Sequence, residues 1–494
     1  MATEETNDGR RHRKPHAIVI PFPLQGHVIP AVHLAIKLAS EGFTITFINT
    51  HYIHHKITSS SAAGGAGDDF FAGVRETGLD IRYKTVSDGK PLGFDRSLNH
   101  NEFMASVMQV LPVHVEELVA GMVAAGEEEE EKVSCLVADT FFVWSSKVAK
   151  KFGLVYVSVW TEPALVFTLY HHVHLLRQNG HFGCQGRRDD PIDYIPGVKI
   201  IEPKDTPSSL QGDDDETVID HQVVFGAIQD AKSADFILAN TIQELEQDTL
   251  AGLKLAHEAQ VYAIGPIFPT EFTKSLVSTS LWSESDCTRW LNSKPLGSVL
   301  YVSFGTFAHM AKPDLVEIAR GFALSGVSFL WTLRNDIVSS NDPDPLPFGF
   351  REEVSDRAMI VGWCNQKEVL AHTAIGGFLT HCGWNSVLES TWCGVPMLCF
   401  PLFVDQFTNR KLVVDDWKVG INLISDRAVV TKEEVAMNAN HLMVGKSRNE
   451  LKERINGLQK ILVDAIKPSG SSKQNFARFV RELNDTIIQR KESW

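Results

Sequence analysis

The sequence predicts an α/β protein made of two successive doubly wound units joined by a linker. Three observations carry this reading. Short apolar, β-branched runs alternate with helix-length amphipathic segments, the pattern of buried parallel strands and their crossover helices. The alternation stops once, over 268–295, and then restarts. The length, 494 residues, exceeds what a single hydrophobic core ordinarily supports.

Taking the elements in order, strands are expected at 16–22 (HAIVIPF), 43–49, 134–140 (SCLVADT), 155–160, 235–240 and 261–267. Helical patterns run from Val28 to Ser40 and from Val143 to Lys151. These make up a first domain, 1–267. The linker, 268–295, is polar at first and then holds a short helix-like SESDCTRWLNS. The second domain, 296–474, starts with a strand at 297–305, a helix from Pro313 to Leu324 and a strand at 327–333. Further strands are expected at 358–363, 374–380 and 395–401. A last helix, Asn475 to Arg490 within 475–494, could pack on either domain. Residues 59–69, 127–132 and 340–347 read as surface loops or solvated charge.

Composition excludes several classes. With 47 basic and 61 acidic residues the net charge is −14, which argues against nucleic acid or an anionic membrane surface as partners. Seven scattered cysteines without a C-x-x-C suit a reducing compartment and offer no zinc framework. No apolar run reaches the ~18 residues of a membrane span. The N-terminal MATEETNDGRRHRK lacks the apolar core of a signal peptide, so a cytoplasmic protein is expected.

The densest chemistry lies between Trp363 and Gln406. A strand, GGFLT, leads into His381-Cys382-Gly383 and then a helix opening at Trp384-Asn385-Ser386. A strand, a glycine turn and a helix start aim free backbone N–H groups and a positive dipole end at one spot, which suits phosphate. His381, Asn385 and Ser386 add side-chain donors. Glu389 shares their helical face, one turn on, where a carboxylate can accept from ribose hydroxyls. Trp363 ends a strand, and its indole either stacks on a flat base or belongs to the core. Taken singly, His381 could be a capping or core histidine and Glu389 a solvated helix residue.

Together these residues closely resemble the plant secondary-product glycosyltransferase box of the UDP-dependent glycosyltransferases of family 1. The opening Trp, central HCGWNS, following Glu and closing DQ all match. PFPLQGHVIPAVHLAIKLA, LVADTFFVW, YAIGPI, YVSFGT and DQFTNRKLVVDDWKVG extend the likeness over nearly the whole chain. The resemblance implies a GT-B fold, two Rossmann-like domains facing across a cleft. It implies an acceptor-binding first domain, a UDP-sugar-binding second domain, and a last helix returning to the first. It gives Trp363 to the uracil, with Cys364 and Gln366 nearby, and Glu389 to the ribose. His381, Asn385, Ser386 and Thr306 would hold the diphosphate. Trp384, Asp405 and Gln406 would bond the sugar, and Thr161 would reach it from the first domain. WCNQ stands where WAPQ is commonest, which matters little if the backbone reads the base.

In the same family a histidine after the first strand is the base and an aspartate its partner, and His27 and Asp139 match by motif position. His27 is expected on the loop between the first strand and a helix starting near Val28, with Asp139 ending a strand at the same sheet edge. Imidazole can remove a proton near neutral pH, and a carboxylate on its far nitrogen fixes the tautomer. Alone, Asp139 could instead cap the segment after it.

Other constellations are weaker. The acidic DDDE at 213–216 lies in a polar loop with no flanking strand. Histidines 51, 54 and 55, and 171, 172 and 174, lack metal-ligand spacing with Cys or Asp. No metal and no cofactor are expected, UDP-glucose being a co-substrate. No G-x-G-x-x-G follows the first strand, which disfavours a nicotinamide dehydrogenase. The expected protein is a monomeric, inverting UDP-glucose-dependent glucosyltransferase acting on a hydroxyl or carboxyl of a small lipophilic metabolite. The alternatives are another donor sugar, or a silent sugar-nucleotide-binding protein.

Overall fold

The computed structural model describes residues 14–60, 70–125, 132–184, 186–215, 217–256, 259–269, 271–277, 279–338, 344–425 and 429–492. The N-terminal tail and most of the surface stretches expected at 59–69, 127–132 and 340–347 lie outside the described residues.

Two all-parallel sheets organise the chain. The first contains β1 (His16–Ile20), β2 (Thr44–Thr50), β3 (Ile81–Val86), β4 (Val133–Asp139), β5 (Val155–Trp160), β6 (Phe236–Ala239) and β7 (Gln260–Ala263), in the order β3-β2-β1-β4-β5-β6-β7. The second contains β8 (Val299–Ser303), β9 (Ser328–Thr332), β10 (Ala358–Val361), β11 (Ile375–Thr380), β12 (Met397–Cys399) and β13 (Gly420–Asn422), in the order β10-β9-β8-β11-β12-β13. In each sheet the order reverses beside the first strand, between β1 and β4 and between β8 and β11. Open parallel sheets bind ligands at the carboxyl ends of strands flanking such a switch.

The central strands are buried from end to end, which is why they read as unbroken apolar runs. Two strands have no counterpart in the sequence reading. β3 is IRYKTV, an edge strand whose middle is only partly buried, so polar residues break the apolar signal. β13 is three residues long. The first helix, α1, also differs, running from Gln25 to Ser40, so His27 sits in its first turn and not on a preceding loop. Leu24 provides the reason: its carbonyl accepts the N–H groups of both His27 and Val28, winding the chain before Gly26.

The final helix, Ser471–Glu492, lies against the first sheet. Phe479 packs on Phe236 and Tyr262, the Asn475 amide donates to the Ala263 carbonyl at 2.9 Å, and Arg490 pairs with Asp235. One stretch, His100–Ala124, is long and apolar enough to cross a membrane by length and composition. The sequence reading counted unbroken apolar runs, and Glu116 and Glu117 interrupt this one. Its Phe103, Val107, Leu111, Val115 and Val119 pack into the core.

The domains also meet away from the cleft floor. Asp205 pairs with Arg410 at 2.6 Å, both nearly buried, and the Asp205 carbonyl accepts from Thr408 at 2.7 Å. Ser208 and Val404 exchange two further hydrogen bonds.

Inside α1, His33 is buried, its Nε2 has no partner, and burial pushes its imidazole down to about 3. As pH falls below ~6.5 the unfolded chain binds this proton and the folded chain does not. The associated stability is therefore complete above pH ~6.5 and is lost progressively toward pH ~3, by about 2–3 kcal/mol at pH ~4.5. In urea titrations, His33→Leu should lose less stability between pH ~7 and pH ~4.5 than the wild type by that amount. An equal loss in both proteins would refute the assignment.

Candidate active site

A cavity of about 1170 Å³ opens between the carboxyl ends of the two sheets. Its first-domain wall includes Phe22, Gln25, Gly26, His27, Thr161 and Glu162, and its second-domain wall includes Thr306, Trp363, His381 and the start of the helix Trp384–Trp392. Every site residue expected from the sequence lines this cavity except Asp139, which stands directly behind His27.

His27 Nδ1 lies 2.8 Å from Asp139 Oδ2 and 3.0 Å from Thr161 Oγ1. A carboxylate oxygen accepts, so Nδ1–H is the donor of the bond to Asp139. Asp139 is fixed in turn by the Phe141 N–H on its other oxygen at 3.0 Å. Phe22 and Phe141 clamp the imidazole, their ring centroids 5.5 and 5.4 Å away. Asp139 thus orients His27 and holds a turn behind it, without capping a helix. Thr161, expected to reach the sugar, stands beside the imidazole.

On the opposite wall, His381 fits where Gly305 and Gly383 leave room; a Cβ on either would lie 2.5 Å from its Nε2. Burial, and then the charge of Arg334, push its imidazole down to about 4, so it is neutral at physiological pH. Arg334 was not singled out by the sequence. It braces the adjacent loop by donating to the carbonyls of Gly305 at 3.2 Å and Ala308 at 2.5 Å. The helix Trp384–Trp392 has no side-chain cap, leaving its first N–H groups at the cavity.

Glu389 is buried and accepts from Gln366 Nε2 at 2.8 Å, and the same amide reaches Ser386 Oγ at 2.9 Å. Burial raises the Glu389 carboxyl, opposed by Lys367 and the Gln366 bond. Trp363 has one face against Trp282 of the linker, ring centroids 4.6 Å apart. The Cys364 sulfur lies 3.2 Å from the Thr332 hydroxyl.

Three roles expected from the resemblance meet side chains already engaged. The Trp384 indole donates to the Asn240 carbonyl at 2.7 Å, so it is not available to a sugar hydroxyl. This corrects the expectation for its side chain: Asn240 follows β6 and closes on the indole from the other domain. Asn385 donates to the Gly26 carbonyl at 2.6 Å, again across the cleft. Gln406 accepts the N–H groups of Leu402 and Phe403 at 2.9 and 3.2 Å, and the residue lines the cavity. Its side chain therefore ties the loop before it, not the segment after it.

Asp405 is buried and held by Asn409, and burial pushes its carboxyl up to about 6. Close by, Glu162 is pushed well above the carboxylate range by burial and by the charges of Asp405 and Asp139, and its Oε2 has no partner. Sequence reasoning passed over Glu162, since a glutamate before a proline carries no signal until the fold buries it. Among the described residues no three His, Cys, Asp or Glu side chains gather as a metal site, and DDDE at 213–216 lies partly outside them.

With this geometry in view, the comparisons are direct. The family described as "UDP-glucoronosyl and UDP-glucosyl transferase" matches residues 281–468. The chain is 56% identical to UDP-glycosyltransferase 86A2 of Arabidopsis thaliana, over 97% of this chain and 96% of that protein. It belongs to the plant family 1 UDP-glycosyltransferases. A solved UDP-glucose: anthocyanidin 3-O-glucosyltransferase in complex with UDP superposes with a TM-score of 0.79 at 26% identity, covering 96% of this chain and 99% of that one. Phytolacca americana UGT2, complexed with UDP-2fluoro-glucose and pterostilbene, does so at 0.76 and 25%, covering 95% and 99%. The glycosyltransferase therefore has the GT-B fold, and its cavity lies where the two Rossmann-like domains face each other.

Gly305 tests the packing at His381. Its φ of +73° disfavours a side chain, and a Cβ would strike the imidazole. Gly305→Ala should weaken UDP binding roughly tenfold or more, given ~1–3 kcal/mol for a displaced hydrogen-bonding group. Calorimetry finding wild-type affinity in a folded variant would show that His381 does not serve the nucleotide.

Proposed function

We propose that this glycosyltransferase transfers glucose from UDP-glucose, with inversion, to a hydroxyl or carboxyl of a small lipophilic acceptor, giving a β-glucoside. One observation carries the reading: the His27–Asp139 pair, 2.8 Å apart, faces His381, Asn385 and Ser386 across a single cavity. The apolar lining at Phe22, Met104, Phe141 and Phe307 supports a lipophilic acceptor.

His27 Nε2 takes the proton of the acceptor hydroxyl while that oxygen attacks the anomeric carbon. The bond from this carbon to the diphosphate oxygen breaks on the opposite face, and UDP leaves with the electron pair. Asp139 holds Nδ1–H and stabilises the imidazolium that forms. The negative charge growing on UDP meets the N-terminus of the helix Trp384–Trp392, with His381, Asn385, Ser386 and Thr306 as further donors. Trp363 stacks on the uracil, beside the Cys364 backbone and Gln366, and Glu389 accepts from the ribose. Asp405 accepts from sugar hydroxyls and the Gln406 NH₂ donates to one, and this division favours glucose over its 4-epimer. No metal has a part in this scheme.

His27→Ala should lose ~10²–10⁴-fold in kcat with a hydroxyl acceptor and keep its UDP affinity. A carboxylate acceptor has no proton to lose, so turnover of that class should fall much less. Near-wild-type turnover of hydroxyl acceptors would sink the base assignment.

Initial rates with UDP-glucose, UDP-galactose, UDP-xylose and UDP-glucuronate on one accepted aglycone test the donor. Glucose should be fastest, and a preference for galactose or glucuronate would overturn that choice. Glu389→Ala should weaken UDP binding by ~1–3 kcal/mol, and unchanged affinity by calorimetry would remove Glu389 from the ribose.

A further inference from the structure

The helix that carries His27 lacks one of its own hydrogen bonds. Pro30 is the sixth residue of α1. A residue at that depth donates its N–H to the carbonyl four positions back, but proline has no N–H and its ring crowds that carbonyl. The carbonyl left over is that of Gly26, immediately before His27. It is not left unpaired. Asn385, on the first turn of the helix Trp384–Trp392 in the other domain, donates its Nδ2 to it at 2.6 Å. The neighbouring Trp384 indole is anchored on the Asn240 carbonyl at 2.7 Å, which fixes the start of that helix against the first domain.

We propose that Asn385 is a positioning residue for His27, reaching across the cleft to complete the hydrogen bonding of α1 that Pro30 interrupts. An amide nitrogen carries two N–H groups. One is used on Gly26, and the other is free for the diphosphate. The donor site and the first turn of α1 then share one side chain, which sets the base against the donor wall. This rests on the reading of His27 as the base and of Asn385 at the diphosphate.

Pro30→Ala is the discriminating variant, because it supplies the missing N–H within the helix and competes for the Gly26 carbonyl. Its thermal midpoint should stay level or rise, since proline is unfavourable in a helix interior. UDP affinity should stay within about twofold, because the diphosphate contacts are untouched. With a hydroxyl acceptor, kcat should fall roughly 10- to 100-fold, as expected for a misplaced base, with little change in donor KM. A merely structural defect would instead lower the midpoint along with the rate. Asn385→Ala should lose both UDP affinity and kcat, and Pro30→Ala/Asn385→Ala should have a kcat no lower than Asn385→Ala alone, since both remove one contact. Wild-type kcat in Pro30→Ala, or losses that multiply in the double variant, would overturn the proposal. Active His27→Ala would sink the base assignment and this inference with it. Wild-type-like Pro30→Ala beside an inactive His27→Ala would sink this inference alone.

Discussion

The chemistry of this protein depends on two sheet ends being held face to face, and a few hydrogen bonds across the cleft hold them. Asn385 to Gly26 and Trp384 to Asn240 join the helix Trp384–Trp392 of one domain to the strand ends of the other. Asp205 with Arg410 and Ser208 with Val404 do the same at the rim. Trp384, Asn240, Asp205 and Arg410 are buried, and such groups are costly to leave unpaired, whereas Gly26 is exposed and Asn385, Ser208 and Val404 are half-buried. The spacing of the domains is therefore narrowly set, and with it the distance from His27 to the donor wall. Parallel sheets of this kind gather their functional loops at the switch points, so two such sheets facing each other bring both sets of loops to one place.

The cleft is also an electrostatic environment. Burial keeps His381 neutral and raises the carboxyls of Glu389, Asp405 and Glu162. An imidazole held neutral offers one N–H without a fixed positive charge, in keeping with the role proposed for it at the diphosphate. Carboxyls with raised affinity for protons suit a partner made of neutral hydroxyls better than one carrying further negative charge. On the other wall, His27 keeps some exposure, with the Asp139 carboxylate 2.8 Å behind its Nδ1.

Much of the site was legible in the sequence. Box residues 363–406 read correctly as a strand, a glycine turn and a helix start, because each local signal agrees with the fold around it. The family resemblance paired His27 with Asp139, and the fold brings them together because one follows β1 and the other ends the adjacent β4. Two strands escaped notice for opposite reasons: β3 is mixed with charge at a sheet edge, and β13 is too short to show a period. Glu162, Arg334 and Trp282 carried no local signal. Their importance comes from what folding places beside them, 100 or more residues away in the chain for Glu162 and Asp405.

The sequence by itself determined the class of fold, two doubly wound α/β units, since hydrophobic period, glycine placement and helix starts are local properties of the chain, and the facing of the two domains was what the family resemblance implied. Only the tertiary structure decided how each polar group is used. The Trp384 indole, the Asn385 amide and the Gln406 carbonyl oxygen were all candidates for the sugar or the diphosphate. Trp384 and Asn385 meet carbonyls of the other domain, and Gln406 meets N–H groups of its own loop. A hydrogen bond is fixed by distance and direction, and residues more than 100 positions apart acquire those only when the chain has folded.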